Sequence, residues 1–279
     1  MKFGAHVSIA GGIEKAPERA HEVGCECFQM FTRSPRGGDP PPLDDKTVES
    51  FIAACSRYGF RDYYIHTPYY INLASADKNI RRSSIAIIKE ELRRGDMIGA
   101  AYVMTHMGSS KEMRSQKAIS NVVEGLKIIL EKLNYKTKLL LENSAGQGMT
   151  IGNTFGELHE ILEKVGDAEL GVCLDTAHLL AAGYDIRTKN ALNKVIREFS
   201  SMIGLDRLKL LHGNDSKVRL GEKKDRHEHI GEGYIGLTGF RNIVNNSDIQ
   251  NIDLIVETPL ERIEDDIRNL NNLRELKRV

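Results

Sequence analysis

No stretch of this sequence reaches the ~18 consecutive apolar residues of a membrane span, so no membrane partner is expected. The N-terminus lacks a basic segment followed by an apolar one, so no secretory signal is expected and the expected location is the cytoplasm. Charge of either sign is not in excess: 39 Lys and Arg balance 39 Asp and Glu. No global field therefore draws in a polyanion, and any nucleic-acid affinity has to come from local basic residues and bound cations. Cysteine is scarce. Cys25 and Cys27 form a C-x-C pair with no second pair to complete a metal knuckle, and with Cys55 and Cys173 they read as reduced core thiols. No break in composition marks a domain boundary, and 279 residues suit one domain, 1–279, of a barrel that typically takes ~250.

What the sequence does have is a recurring strand signature. Eight short apolar runs stop at or carry a polar residue: KFGAH at His6, ECFQMF with Gln29, YYIH at His66 and AYVMTH at His106, then KLLLE at Glu142, LGVCLD at Asp175, RLKLLH at His212 and DLIVE at Glu257. Each reads as a buried parallel strand. Helical periodicity fills the gaps: Ile13 to Gly24, Ile80 to Met97, and stripes through Ile119, Val122, Leu126, Ile129 and Leu133. Further stripes run through Phe155, Leu158, Leu162 and Val165, through Leu192, Val195, Ile196 and Phe199, and from Ile263 to Leu276. About eight alternations predict an α/β fold, a (β/α)8 TIM barrel with a metal site at the C-terminal ends of its strands. Thr32–Leu43, with four of the seven prolines, and the polar stretch Gly213–Gly236 are the long loops expected on that face.

If the strands close into a ring, their terminal imidazoles and carboxylates converge. A lone strand-end His is more often a satisfied structural residue, but seven such ends together point to a metal site. Imidazole nitrogen with carboxylate oxygen suits zinc or manganese better than calcium. His6 is the weakest member and is expected behind the ligands. Asp175 and His178 in DTAH meet if the chain turns helical there. Asp225 and His227 in DRH share one side of an extended segment, although DRH alone would pass for a solvated loop.

These residues carry a family resemblance. GAHVSIAGG, IHTPYYINLAS, LLLENSAGQG, LDTAHLLAAGYD, HGNDSK, DRHEHIGEGYIG and VETP together resemble endonuclease IV, the zinc-dependent apurinic/apyrimidinic endonuclease, along almost the whole chain. The resemblance implies three zinc ions, with manganese an alternative at one position. His66, His106 and Glu142 would hold the first. Glu142, bridging, with Asp175, His212 and Glu257 would hold the second, and His178, Asp225 and His227 the third. It implies cleavage 5′ to abasic sites in duplex DNA, leaving a 3′-hydroxyl and a 5′-deoxyribose phosphate. Two zincs would lower the pKa of a shared water towards about 7, so that hydroxide forms near neutral pH. Glu142 and Glu257 are the catalytic candidates, Glu257 as orienter or proton acceptor. Arg36, Tyr69 and Tyr70 are the candidates to enter the duplex, and a monomer is expected. Three departures bear on the DNA grip: Gly37-Gly38 where the family carries a bulky aromatic, Gly213 after His212, and Tyr70 in place of leucine.

Two rivals compete. A single-metal sugar isomerase or epimerase could use Glu142, Asp175, His212 and Glu257 on the same barrel, but has little use for the other five ligands. A non-catalytic binder of damaged DNA needs no open metal shells. The G-x-G-x-x-G of Gly231, Gly233 and Gly236 follows a polar loop rather than a strand, so it is not read as a dinucleotide site. His21 and His159 read as surface positions on helices.

Overall fold

The computed structural model describes residues 1–111, 115–131, 134–259 and 262–277. Among them, parallel strands β1 (Phe3–Val7), β2 (Cys27–Met30), β3 (Tyr63–His66), β4 (Tyr102–Thr105), β5 (Lys138–Glu142), β6 (Gly171–Asp175) and β7 (Leu208–His212) follow in order. A two-stranded hairpin, β8 (Asp215–Ser216) and β9 (His227–Glu228), precedes the last parallel strand, β10 (Asp253–Val256). β10 pairs with both β7 and β1, so the ring closes as the expected TIM barrel.

Helices α1 (Ala16–Glu22), α2 (Asp45–Tyr58), α3 (Lys78–Ile98), α4 (Ser115–Leu130), α5 (Phe155–Val165), α6 (Thr176–Ala182), α7 (Lys189–Met202), α8 (Gly236–Val244) and α9 (Ile263–Lys277) join the strands. Local chemistry sets their ends. Asp44, Asp77, Thr154 and Thr188 each accept a backbone N–H of the first turn, and Gly59, Gly99 and Gly166 end helices in the left-handed conformation. The main core lies between barrel and helices; each Leu, Ile or Phe fully buried there contributes ~1.5–3 kcal/mol.

Two details differ from the periodicity, and one predicted position falls outside the described residues. The segment from Ile13 opens as a 3-10 turn, Ile13–Lys15, before α1. Leu133, counted on the α4 stripe, lies outside the described residues. Helices α2 and α8 carry stripes too short to stand out: in α2 only Phe51 and Cys55 are buried.

Candidate metal centre

Strand alternation builds the site. Inside the barrel, Cys27, Tyr64, Met104, Leu140, Cys173, Leu210 and Ile255 form one buried apolar layer. β1 adds no side chain to it, because a Cβ on Gly4 would lie 1.9 Å from the Cys27 carbonyl oxygen. Two residues further along each of those strands, on the same face, come Gln29, His66, His106, Glu142, Asp175, His212 and Glu257. The apolar layer closes the barrel floor; the polar layer above it is the candidate centre.

The structure brings the predicted ligands into three groups. His66, His106 and Glu142 form one, Glu142, Asp175, His212 and Glu257 a second, and Asp175, His178 and His227 a third, with the donor atoms of each group within 4.8 Å of one another. Glu142 divides its oxygens: Oε2 lies 3.2 Å from His66 Nε2 and 3.4 Å from His106 Nε2, while Oε1 lies 3.0 Å from His212 Nδ1. Asp225 Oδ1 joins the third group at 3.2 Å from His178 Nε2 and 3.3 Å from His227 Nε2. DTAH turns helical as its spacing suggested: Asp175 caps α6, its Oδ1 accepting the His178 backbone N–H at 2.8 Å. His6 belongs to none of the groups and stands behind Glu257, its Nδ1 3.3 Å from Oε1.

Hydrogen bonds fix which nitrogen each ring turns inward. Nδ1 of His66, His178 and His227 faces the carbonyl oxygens of Thr67, Asn143 and Glu257 at 2.6, 3.0 and 3.0 Å. A carbonyl only accepts, so each Nδ1 carries the proton and each Nε2 presents a lone pair to the centre. His212 is reversed: Nε2 meets Gln29 Oε1 at 2.9 Å and Nδ1 turns inward. The Nε2 atoms of His178 and His227 are buried and share the one Asp225 Oδ1, at 3.2 and 3.3 Å, without a well-formed hydrogen bond among the described residues. Buried polar atoms are rarely left so, and imidazole oriented through its other nitrogen is the usual arrangement of a metal ligand. The residues therefore fit divalent cations.

Charge agrees. With neutral imidazoles, Glu142, Asp175, Asp225 and Glu257 bring four negative charges to one barrel mouth, and buried charge must be compensated. Burial alone would raise the Glu142 carboxyl, but His106 and His212 hold it well below the usual carboxylate range. Glu257 is held low against burial by His212, then His6 and His66. Burial pulls His178 down, yet Asp175, Asp225 and Glu142 lift it to about 10. His227 reaches about 9, with Asp175 and Asp225 outweighing burial. Without metal, protons are the cations these carboxylates attract.

Several residues that hold the site escaped the sequence reading. Asn143 Oδ1 accepts the Asp175 backbone N–H at 2.6 Å. Asn214 donates from Nδ2 to Asp175 Oδ2 at 2.6 Å and accepts the Glu257 N–H at 2.7 Å. Thr176 Oγ1 donates to the Asn214 carbonyl at 2.6 Å. A signal was present: a Thr or Asn follows directly after His66, Glu142, Asp175 and Glu257.

A family model described as a xylose isomerase-like TIM barrel matches residues 17–276. The probable endonuclease 4 of Carboxydothermus hydrogenoformans is 42% identical over 275 residues, spanning 99% of this chain and 97% of that protein. The probable endonuclease 4 of Aquifex aeolicus is 41% identical, spanning 98% and 97%. The chain belongs to the endonuclease IV family. The crystal structure of endonuclease IV from Thermus thermophilus superposes with a TM-score of 0.87 at 33% identity, covering 99% of this chain and 98% of that one. A D-tagatose 3-epimerase-like protein, with a TM-score of 0.76 at 20% identity, shares the fold.

As an endonuclease IV-type enzyme, the chain needs room for substrate beside the polar layer. A cavity of about 380 Å³ opens there, lined by Tyr69, Tyr70, Asn72, Gln147 and Ser109 together with His106, His178 and Asp225. Tyr69 is 68% and Tyr70 40% exposed, so neither is packed away beside β3. Arg36 is exposed on the β2–α2 loop and does not line this cavity. Arg33, three residues earlier, is instead buried, with Nε 2.5 Å from Glu91 Oε1. Gly213 has a packing reason: a Cβ there would lie 2.3 Å from Leu254 Cδ2. Among the described residues no helix is long and apolar enough to cross a membrane.

Proposed function

We propose that this endonuclease IV family enzyme hydrolyses the phosphodiester on the 5′ side of abasic sites in duplex DNA, leaving a 3′-hydroxyl and a 5′-deoxyribose phosphate. Its cofactors are three divalent cations, zinc with manganese an alternative at one position. One observation carries the reading: three overlapping groups of inward-facing ligands, joined through Glu142 and Asp175, with buried imidazole nitrogens that lack a well-formed hydrogen bond among the described residues.

His66, His106 and Glu142 hold the first cation, Glu142, Asp175, His212 and Glu257 the second, and His178, Asp225 and His227 the third. Bound there, the cations supply Lewis-acid activation of water and neutralise charge on phosphate oxygens. The chain supplies placement. Glu142, with one oxygen in each of two groups, sets the distance between them. Glu257 turns Oε2 to His212 Nδ1 at 3.1 Å and Oε1 to His6 at 3.3 Å, a position from which it orients the attacking water and takes its proton. An abasic nucleotide has no base to unpair or unstack, so drawing its sugar and phosphate into the cavity costs less than flipping an intact nucleotide. Tyr69 and Tyr70 offer exposed rings to fill the gap left in the duplex, and Arg36 offers a charge on the neighbouring loop. A sugar isomerase would engage Glu142, Asp175, His212 and Glu257 and leave His66, His106, His178, Asp225 and His227 without a task.

The test is a duplex with a single tetrahydrofuran abasic analogue. The expected result is a nick on its 5′ side whose 3′ end a polymerase extends, abolished by prolonged chelation and restored by zinc. Nicking that ignores the lesion, or ketose interconversion without nicking, would overturn the proposal.

A further inference from the structure

The glycine run Gly231, Gly233 and Gly236 looks like a phosphate loop yet follows no strand. In the fold it already encloses an anion, the carboxylate of Asp215, which is 0% exposed. The backbone N–H groups of Ser216 and Ile235 donate to Oδ1, each at 2.8 Å. Those of Gly231 and Gly236 donate to Oδ2 at 3.0 and 3.1 Å. Gly231 and Gly236 have φ of 91° and 69°, left-handed values that glycine adopts without strain. A Cβ on Gly233 would lie 2.5 Å from Asp215 Oδ1. Gly236 opens α8, so the carboxylate also meets the positive end of that helix.

Asp215 is tied to the metal centre through backbone pairing. It begins β8, where Ser216 pairs with His227 and Asp215 with Glu228. The Lys217 N–H donates to the Arg226 carbonyl at 2.9 Å, and the Tyr234 N–H to the Ser216 carbonyl at 2.9 Å. The chain leaving His227 is then caught on its far side by Asn269 of α9, whose Oδ1 accepts the Ile230 N–H at 2.9 Å. Asp225 and His227 are thus carried on a short hairpin whose return path wraps one buried carboxylate.

We infer that Asp215 is the positioning residue for Asp225 and His227: it fills the glycine nest in place of an external phosphate and locks the hairpin that brings both side chains to His178. The inference rests on the three-cation reading. It assigns the glycine motif to assembly of the loop-borne site and removes it from ligand binding.

The experiment compares tightly bound zinc per folded chain in the wild type and in Asp215→Asn, which keeps the shape but turns an NH2 group towards two N–H donors. Expected are three zincs in the wild type and two in the variant. The third site should weaken by roughly 10–100-fold, as for other changes behind metal ligands, with nicking recovered by added zinc and far-UV circular dichroism unchanged. Three zincs and wild-type turnover in Asp215→Asn would overturn the inference, as would loss of all zincs together without recovery. Should Asp215→Asn not fold, Gly233→Ala, which presses on the same carboxylate, is read by the same criteria. A wild-type count below three would instead overturn the three-cation reading.

Discussion

The candidate metal centre has a strand-borne part and a loop-borne part, and they are held by different means. His66, Glu142 and His212 are 0–2% exposed and sit in the register of a closed barrel, one step above an apolar floor. Strand pairing sets their positions, and neighbouring polar groups such as the Thr67 carbonyl and Gln29 only orient the rings. Asp225 and His227 have side chains 48% and 18% exposed and ride on a hairpin of two-residue strands. Such a hairpin is marginal alone, so the buried Asp215 within it and Asn269 from α9 hold its return path. Where a barrel places ligands, strand register sets the backbone and polar neighbours such as Asn143 and Asn214 only trim it; where a loop places them, polar anchors must hold the backbone itself.

The largest expected effect comes from striking the strand-borne part where it is shared. Glu142→Ala empties two groups at once, so bound metal should fall from three to one and nicking should drop at least about 10³-fold. Full metal content and activity in that variant would contradict the assignment. Asp225→Asn strikes the loop-borne part alone: two metals should stay and nicking should fall ~10²-fold, measured by elemental analysis and single-turnover nicking. Asn143→Ala leaves every ligand in place but frees Asp175, and zinc affinity should weaken ~10-fold or more in titrations against a chelator.

The smallest effect is on stability against pH. In the metal-free fold His178 and His227 are raised to about 10 and about 9, against ~6.5 for an unfolded histidine. A raised base contributes stability that is fully present below about pH 6.5 and is lost as pH climbs through 9 to 10. The metal-free protein should therefore melt at lower temperature at pH 10 than at pH 7. The loaded protein, whose imidazoles are already unprotonated, should lack that contribution; a flat metal-free profile would contradict the proton-for-metal exchange.

The same division explains what the sequence could reveal. His66, Glu142, Asp175 and His212 were legible because each ends an apolar run, and a strand period of two leaves little choice of face. His106 and Glu257 stand one residue past their strands, β4 and β10, and still keep the face. The anchors were at most half legible: Asn143 follows Glu142 directly, but a polar residue after a strand looks the same whether it holds a neighbour or faces water, and Asn269 sits inside α9 with no pattern to mark it. Asp215 was hidden for another reason: its partners are backbone groups of residues 216–236, and only the folded turn aims them at one point. Helices α2 and α8 escaped because their buried faces are short.

The most direct test of the central claim is an anomalous-difference map at the zinc absorption edge from crystals of the purified protein. Three peaks are predicted above the layer of Met104, Leu140 and Leu210, one within each ligand group and the outermost between His178, Asp225 and His227. A single peak among Glu142, Asp175, His212 and Glu257, with the outer histidines bound only to water, would contradict the account.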